Sequence, residues 1–215
     1  MSLVQTEGEV SSTWRISSRQ TSTPDIDFRI EDVEELLARP LGRSFFERGA
    51  EAVARDLIDC YLVRKRGQKL IKRRITETEA YIGPHDRACH AARGRTLRTE
   101  PMFGPAGTLY VYLVYGMHWM LNVVTGPVNH PAAVLIRSVD TITGPGRLTR
   151  ALGITGALNN HVATARSGIW FVKEARREAI QVMRTKRIGV EYAGPIWSIK
   201  PYRFISIAKG RARGP

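Results

Sequence analysis

In the run Thr76-Glu77-Thr78-Glu79-Ala80-Tyr81, two carboxylates and a phenol recur at every second position. In an extended strand Glu77, Glu79 and Tyr81 share one face, while the two threonines and Ala80 take the other. Paired carboxylates beside an aromatic ring can supply a general base in a stacking pocket. The same alternation also describes the solvated face of an ordinary strand. Period alone does not say which glutamate would act. The residues that follow, 82–107, are rich in Gly, Pro and Arg. A loop of that length inside a compact domain is expected to be functional or disordered.

The next group is Thr108-Leu109-Tyr110-Val111-Tyr112-Leu113-Val114-Tyr115. Tyr110 and Tyr112 share a strand face, whereas Tyr115 falls beside an expected turn at Gly116. An aromatic at a hairpin tip can enter a stack of bases as a wedge. Core packing is the alternative for all three tyrosines and the expectation for Tyr110. Met117, His118 and Trp119 extend the apolar tip. Arg93, Arg95 and Arg98 precede this region and Arg137, Arg147 and Arg150 follow it. Cations interleaved with aromatics are the footprint of nucleic-acid contact.

Charge agrees with that footprint. The chain of 215 residues carries 33 Lys+Arg against 20 Asp+Glu, a formal net charge of +13. Such a surplus favours a polyanion, either nucleic acid or an anionic membrane surface. The membrane reading fails on detail. Met1 to Thr23 is rich in Ser and Thr, not charged and then apolar as an export signal is. The most apolar run, Thr108–Val124, contains Gly116, His118 and Asn122 and is dense in the strand formers Tyr and Val. A soluble, cytosolic protein is expected.

Other constellations are weaker. Two cysteines, Cys60 and Cys89, exclude a disulfide scaffold and a four-cysteine zinc site. His85, Cys89 and His90 lack a fourth metal ligand nearby, so a histidine with a local hydrogen bond is expected there. The Pro-Cys-x-x-Cys signature of zinc deaminases is absent. Gly144-Pro145-Gly146-Arg147 is either a phosphate-holding helix start or an ordinary glycine-flanked cap.

The elements that must position these groups fit one domain. Apolar content of 43% and charged content of 25% are near globular averages. Residues 1–24 hold ten Ser or Thr and read as a disordered tail, leaving 25–215 as the domain. Asp32–Leu37 reads as a short helix stopped by Pro40. Ser44 and Glu47 form a capping box for a second helix carrying Phe46, Ala50, Val53 and Leu57 on one face and ending by Cys60. From Tyr61 the period becomes two. Tyr61–Arg64 and Ile71–Tyr81 flank a turn at Gly67-Gln68, with seven cations from Arg64 to Arg74, most of them expected on a solvated edge. Thr108–Val124 is a second strand pair, Ala132–Ser138 a further strand, and Pro145 opens a helix through Leu152. Ile169–Lys173, Arg187–Tyr192 and Tyr202–Ile207 are later strands before a basic tail, Lys209–Arg213. The fold class is α+β, mixed α/β, in a single domain.

Taken in order, Glu77-Thr78-Glu79-Ala80-Tyr81-Ile82-Gly83-Pro84, His90, Met102-Phe103-Gly104-Pro105-Ala106-Gly107-Thr108-Leu109-Tyr110-Val111-Tyr112, Tyr115-Gly116-Met117-His118, Asn122, Ala133-Val134-Leu135-Ile136-Arg137 and Gly144-Pro145-Gly146-Arg147-Leu148 resemble the alkyladenine (3-methyladenine) DNA glycosylase family, in its bacterial form. The likeness runs from about Leu37 to Ile207. Leu97 stands where the family usually has Pro, Ser138-Val139-Asp140 replaces an Ala-Leu-Glu type segment, and the tail before Asp25 has no counterpart.

The resemblance implies a compact domain with a curved antiparallel sheet, flanking helices and a β-hairpin that protrudes and intercalates into DNA. It implies that Glu79, not Glu77, is the general base and that Arg137 helps hold the attacking water. Tyr81, His90 and Tyr112 would enclose a flipped base, with Leu135 in the same pocket and Asn122 excluding the guanine amino group. Tyr115 would be the wedge, with Arg95, Arg98, Met117, His118 and Arg147 on the DNA. The expected partner is double-stranded DNA carrying damaged purines, the product an abasic site, and the enzyme a monomer associated with the bacterial nucleoid. No cofactor or metal is implied, and no lysine falls in the matched motifs, so hydrolysis without strand cleavage is expected. Two other classes compete: a non-catalytic DNA-binding module, and a metal-dependent nuclease using Glu77, Glu79 and Asp86.

Overall fold

The computed structural model describes residues 40–174 and 180–207. The Ser/Thr-rich segment 1–24, the helix expected at Asp32–Leu37 and the basic tail Lys209–Arg213 lie outside the described residues. In chain order the described residues form α1 (Arg43–Phe46), α2 (Ala50–Asp56), β1 (Tyr61–Arg66), β2 (Lys69–Tyr81), β3 (Leu109–Val114), β4 (His118–Thr125), β5 (Ala132–Val139), α3 (Pro145–Leu152), β6 (Ile169–Val172), β7 (Gln181–Thr185), α4 (Gly194–Ser198) and β8 (Arg203–Ile207). The eight strands make one curled sheet in the order β3-β4-β5-β2-β1-β6, with β8 joining β2 to β7. Every pairing is antiparallel. The fold is a single α+β domain, a half-barrel with a few helices.

The 13-residue β2 is its spine. The first half pairs with β1, and the second half lies between β5 and β8. Alternation along the strands then separates two faces. Leu109, Val111, Leu121, Val123, Val134, Ile136, Ala80 and Phe204 point into the main core, where Val53, Ala54 and Leu57 of the α2 region and Leu148 and Leu152 of α3 meet them. Each fully buried Val, Leu or Phe there contributes on the order of 1.5–3 kcal/mol of transfer free energy. Thr78, on the same face, donates its hydroxyl to the Ala54 carbonyl at 2.8 Å, near the end of α2 where helix carbonyls run out of partners.

Three expected features are corrected. The helix expected across Ser44–Leu57 is two helices, with Gly42 and Gly49 as extended N-caps and no side-chain cap at either. Glu47 pairs with Arg43 at 2.7 Å and makes no capping box. The break lets Phe46 turn onto Phe171, ring centroids 5.6 Å apart, while its carbonyl accepts from the Gly126 N–H. Arg187–Tyr192 is not a strand. Gly189 is left-handed at φ 72°, Glu191–Ala193 is a 3₁₀ turn, and the pairing strand is β7, upstream. The cationic run is also not wholly an edge, because β6 covers Tyr61–Arg64. Arg64 donates to the Leu152 and Gly153 carbonyls at the end of α3, and Lys72 lies 4.3 Å over the Tyr61 ring and pairs with Glu174. Lys65, Arg66 and Lys69, at the hairpin tip, are exposed.

Thr78→Val keeps the side-chain shape and removes the donor to Ala54. It is expected to lower the unfolding free energy by about 1–3 kcal/mol, with Thr78→Ser recovering most of the loss. Urea denaturation of the three proteins measures this, and an unmoved midpoint for the valine variant would refute it.

Candidate active site

Strand register builds the site on the face of the sheet opposite the main core. Tyr110, Asn122, Leu135, Glu79 and Arg203 are successive cross-strand partners over β3, β4, β5, β2 and β8. Directly opposed residues share a face, so this row crosses the whole site. The adjacent row places Val124 against Ala133 and Ala133 against Tyr81. Between β2 and β5 the pairing slips: Glu77 faces Ser138 but Thr78 faces Ile136. Arg137 is therefore the extra residue of a bulge, which turns its side chain toward both glutamates. Its Nε lies 3.0 Å from Glu77 and its Nη1 3.3 Å from Glu79.

Glu79 is 0% exposed in the middle of the sheet. Besides Arg137, its Oε1 accepts the Ile188 N–H at 2.9 Å and its Oε2 accepts the Tyr81 hydroxyl at 2.9 Å. Burial raises its pKa above the ordinary carboxylate value, while Arg137 and the two hydrogen bonds oppose the rise. Glu77 is held differently: Ser138 donates to it at 2.6 Å, and the Ser138 hydroxyl in turn accepts the Gly144 N–H that leads into α3.

An open-mouthed cleft lies beside this carboxylate, its wall formed in part by Tyr81. Tyr81, His90, Tyr110, Tyr112, Asn122 and Tyr192 line it together with Cys89, Met102 and Ala133. The His90 ring meets Tyr112 edge-on at 4.5 Å and bonds the Tyr110 hydroxyl through Nδ1 at 2.9 Å. Asn122 is fixed by donating to the Tyr110 and Met120 carbonyls. Burial and the nearby Arg98 and Arg93 lower the His90 pKa to about 4. Burial raises Tyr110 to about 12 and Cys89 to about 11, so neither is charged near neutrality. Tyr81 is also raised, by burial and by the Glu79 charge. The cleft is an uncharged aromatic slot with one carboxylate behind the Tyr81 hydroxyl.

The expected residues separate on inspection. Glu79, Arg137, Tyr81, His90, Tyr112 and Asn122 come together. Leu135 is buried in the row between Asn122 and Glu79 and is not among the residues that line the cleft. Tyr115 stands apart at the tip of the β3–β4 hairpin, 89% exposed, with φ 51° followed by Gly116 at φ 69°. Met117 beside it is exposed, and His118 packs onto α3, where a Cβ on Gly146 would come within 3.0 Å of the ring. Arg147 is exposed on α3. Arg95 is paired with Glu100 at 2.6 Å, and Arg98 bonds the Leu113 carbonyl and lies 5.3 Å over Tyr112. The trio Glu77, Glu79 and Asp86 does not converge, because Asp86 is bound by Arg187 on the far side of Tyr81. Among the described residues, no three His, Cys, Asp or Glu side chains gather as metal ligands would.

Arg187, the Ile188 N–H and Tyr192 were not legible as parts of this site. Arg187–Tyr192 reads as one more short strand, and only Gly189 hints at the turn that brings the Ile188 N–H to Glu79.

This geometry agrees with the family comparison. The sequence profile described as methylpurine-DNA glycosylase matches residues 44–144 and 139–209. The chain belongs to the methylpurine-DNA glycosylase family. A Myxococcus xanthus protein named as a candidate 3-methyladenine DNA glycosylase is 45% identical over 190 residues, covering 81% of this chain and 94% of its own. Similarly named proteins of Carboxydothermus hydrogenoformans and Legionella pneumophila are 39% and 40% identical over 183 and 173 residues. They cover 76% and 77% of this chain, and 93% of their own length in each case. The family member described here is a DNA glycosylase, a hydrolase of N-glycosyl bonds, and no described helix is long and apolar enough to cross a membrane.

The neutral histidine gives a direct test. Imidazole NMR resonances of His90 are expected to titrate with a midpoint at about 4, below the ordinary 6.5. The unfolded chain then binds the proton more readily than the folded one. The stability contributed by the neutral ring is complete above pH 6.5 and is lost as pH falls through 6.5 toward 4. A midpoint near 6.5 would contradict the burial described here.

Proposed function

We propose that this glycosylase extrudes 3-methyladenine-type purines from duplex DNA into the aromatic cleft and hydrolyses the glycosidic bond with a water activated by Glu79. The observation that carries the reading is the Tyr81 hydroxyl bridging the cleft wall to a buried carboxylate, 2.9 Å away. Flipping a nucleotide costs a few kcal/mol. Stacking on Tyr81 and on Tyr112 with His90, at roughly 1–3 kcal/mol per base, offsets much of that. A cationic methylpurine gains about 0.5–2 kcal/mol more against aromatic faces. The uncharged His90 adds no repulsion. Asn122, held by two carbonyls, is a fixed obstacle to a guanine amino group.

Glu79 takes one proton from water as the oxygen attacks C1′. The C1′–N bond breaks, and its electron pair leaves with the base, so a cationic purine departs neutral. Such base catalysis is worth roughly 10²–10⁴-fold. Arg137, bonded to both glutamates, steadies the water and the carboxylate. Among the described residues no amine lines the cleft, so an intact abasic strand is the product. Tyr115 fills the space the base vacates, while Arg98, Arg147, Met117 and His118 flank it on the DNA.

Glu79→Gln is expected to cut single-turnover base release by about 10²–10⁴-fold while lesion-DNA binding by gel shift stays near wild type. Full activity in this variant would end the water-activation reading. Tyr115→Ala is expected to slow release from duplex DNA more than from single strands, where no stack needs filling. Equal losses on the two substrates would remove the wedge role.

A further inference from the structure

Behind the wall of the cleft lies an ion pair that the water mechanism above does not use. Arg187 and Asp86 are both inaccessible to solvent, their side chains joined through both guanidinium Nη atoms. Arg187 also donates to the Ala80 carbonyl at 2.9 Å and the Trp197 carbonyl at 3.3 Å. Its guanidinium lies over the rings of Tyr81 and Tyr202, 4.8 and 5.2 Å from their centroids. Asp86 accepts from the Ile82 and Ala88 N–H groups, which fixes the loop leading to Cys89 and His90. The peptide that follows Arg187 donates its N–H, that of Ile188, to Glu79.

A buried ion pair adds little net stability, because desolvation consumes most of the Coulombic gain. This pair is attached to both halves of the site, and its neighbour reaches the reacting carboxylate. We propose that Arg187 is a positioning residue for base release: clamped by Asp86 and the Ala80 carbonyl, it holds the Ile188 N–H on Glu79 and the Tyr81 ring in the cleft wall, keeping the carboxylate ionised for water. The inference rests on Glu79 being the general base.

The groups facing Glu79 are Glu77 and Tyr81 from its own strand, Arg137 from β5, Arg203 from β8, Tyr112 from β3 and Arg187 with the Ile188 N–H from the segment after β7. Of these, the Ile188 N–H and the Tyr81 hydroxyl are the donors whose places depend on Arg187, the first of them directly through the chain. A hydrogen bond to the ionised form favours that form, so losing it moves the Glu79 ionisation to higher pH.

The experiment is single-turnover release of methylpurines from dimethyl-sulfate-treated duplex DNA, followed by chromatography between pH 5 and 9. Wild type, Arg187→Lys, Ile188→Pro and Glu79→Gln are compared. Ile188→Pro removes the N–H at a residue that is half exposed, while also fixing its φ and restricting the backbone of Arg187, and it decides the question if Arg187→Lys does not fold. The acid limb is expected to move up by about one pH unit in both variants, with roughly tenfold slower release on the limb and recovery toward wild type at high pH. A merely structural role would lower the rate equally at every pH and leave the limb in place. A folded Ile188→Pro variant with the wild-type limb overturns the inference. An acid limb that survives in Glu79→Gln would instead overturn the assignment of Glu79 as base.

Discussion

A carboxylate shielded from bulk solvent sits in the central strand of the sheet, and much of the structure answers that one constraint. An unpaired buried charge would cost several kcal/mol. Glu79 therefore draws donors from three separate parts of the chain: Tyr81 on its own strand, Arg137 on β5 and the Ile188 peptide after β7. Each donor in turn needs support. Arg137 reaches the carboxylate because β5 bulges there, and Glu77 holds its other edge. Ser138 steadies Glu77 and is itself tied to the start of α3. The bulge, the second glutamate and the buried Arg187–Asp86 pair all surround one acid placed out of bulk solvent.

The period-two pleat lets this costly arrangement coexist with a stable fold. Residues at odd and even positions of the same strands serve different ends. Leu109, Val123, Val134 and Ala80 pack toward the helices, while Tyr110, Asn122, Leu135 and Glu79 make the opposite row. Stability rests on the first set and chemistry on the second.

That pleat is also why much of the site was legible from sequence. The alternation of Glu77, Glu79 and Tyr81 is a direct image of the strand, and the tip at Tyr115-Gly116 and the helix at Pro145 are local events with local signals. The family resemblance, not the period, singled out Glu79. What escaped is non-local. Nothing near Arg187 reveals that Asp86, 101 residues earlier, will draw it inward. The bulge at Arg137 exists only relative to β2. The break between α1 and α2 is decided by where Phe46 finds Phe171, on a strand far along the chain. Leu135 belongs to the right row, yet its neighbour Asn122 lines the cleft and it does not, a difference that spacing does not encode.

The second half of β2 is bonded on both sides, to β5 and to β8. Amides in such a position exchange with solvent only when the whole domain unfolds. The opposite wall is made of other material: two 3₁₀ turns, His90–Arg93 and Glu100–Phe103, and the segment 186–202, which lies outside the strand ladders. Structure of that kind opens locally at far lower free energy. The segment 186–202 is tied to β2 through the Ile188 N–H on Glu79 and Arg187 on the Ala80 carbonyl, so the slot widens most cheaply at the two 3₁₀ turns, leaving the ladder between β2 and β5 intact.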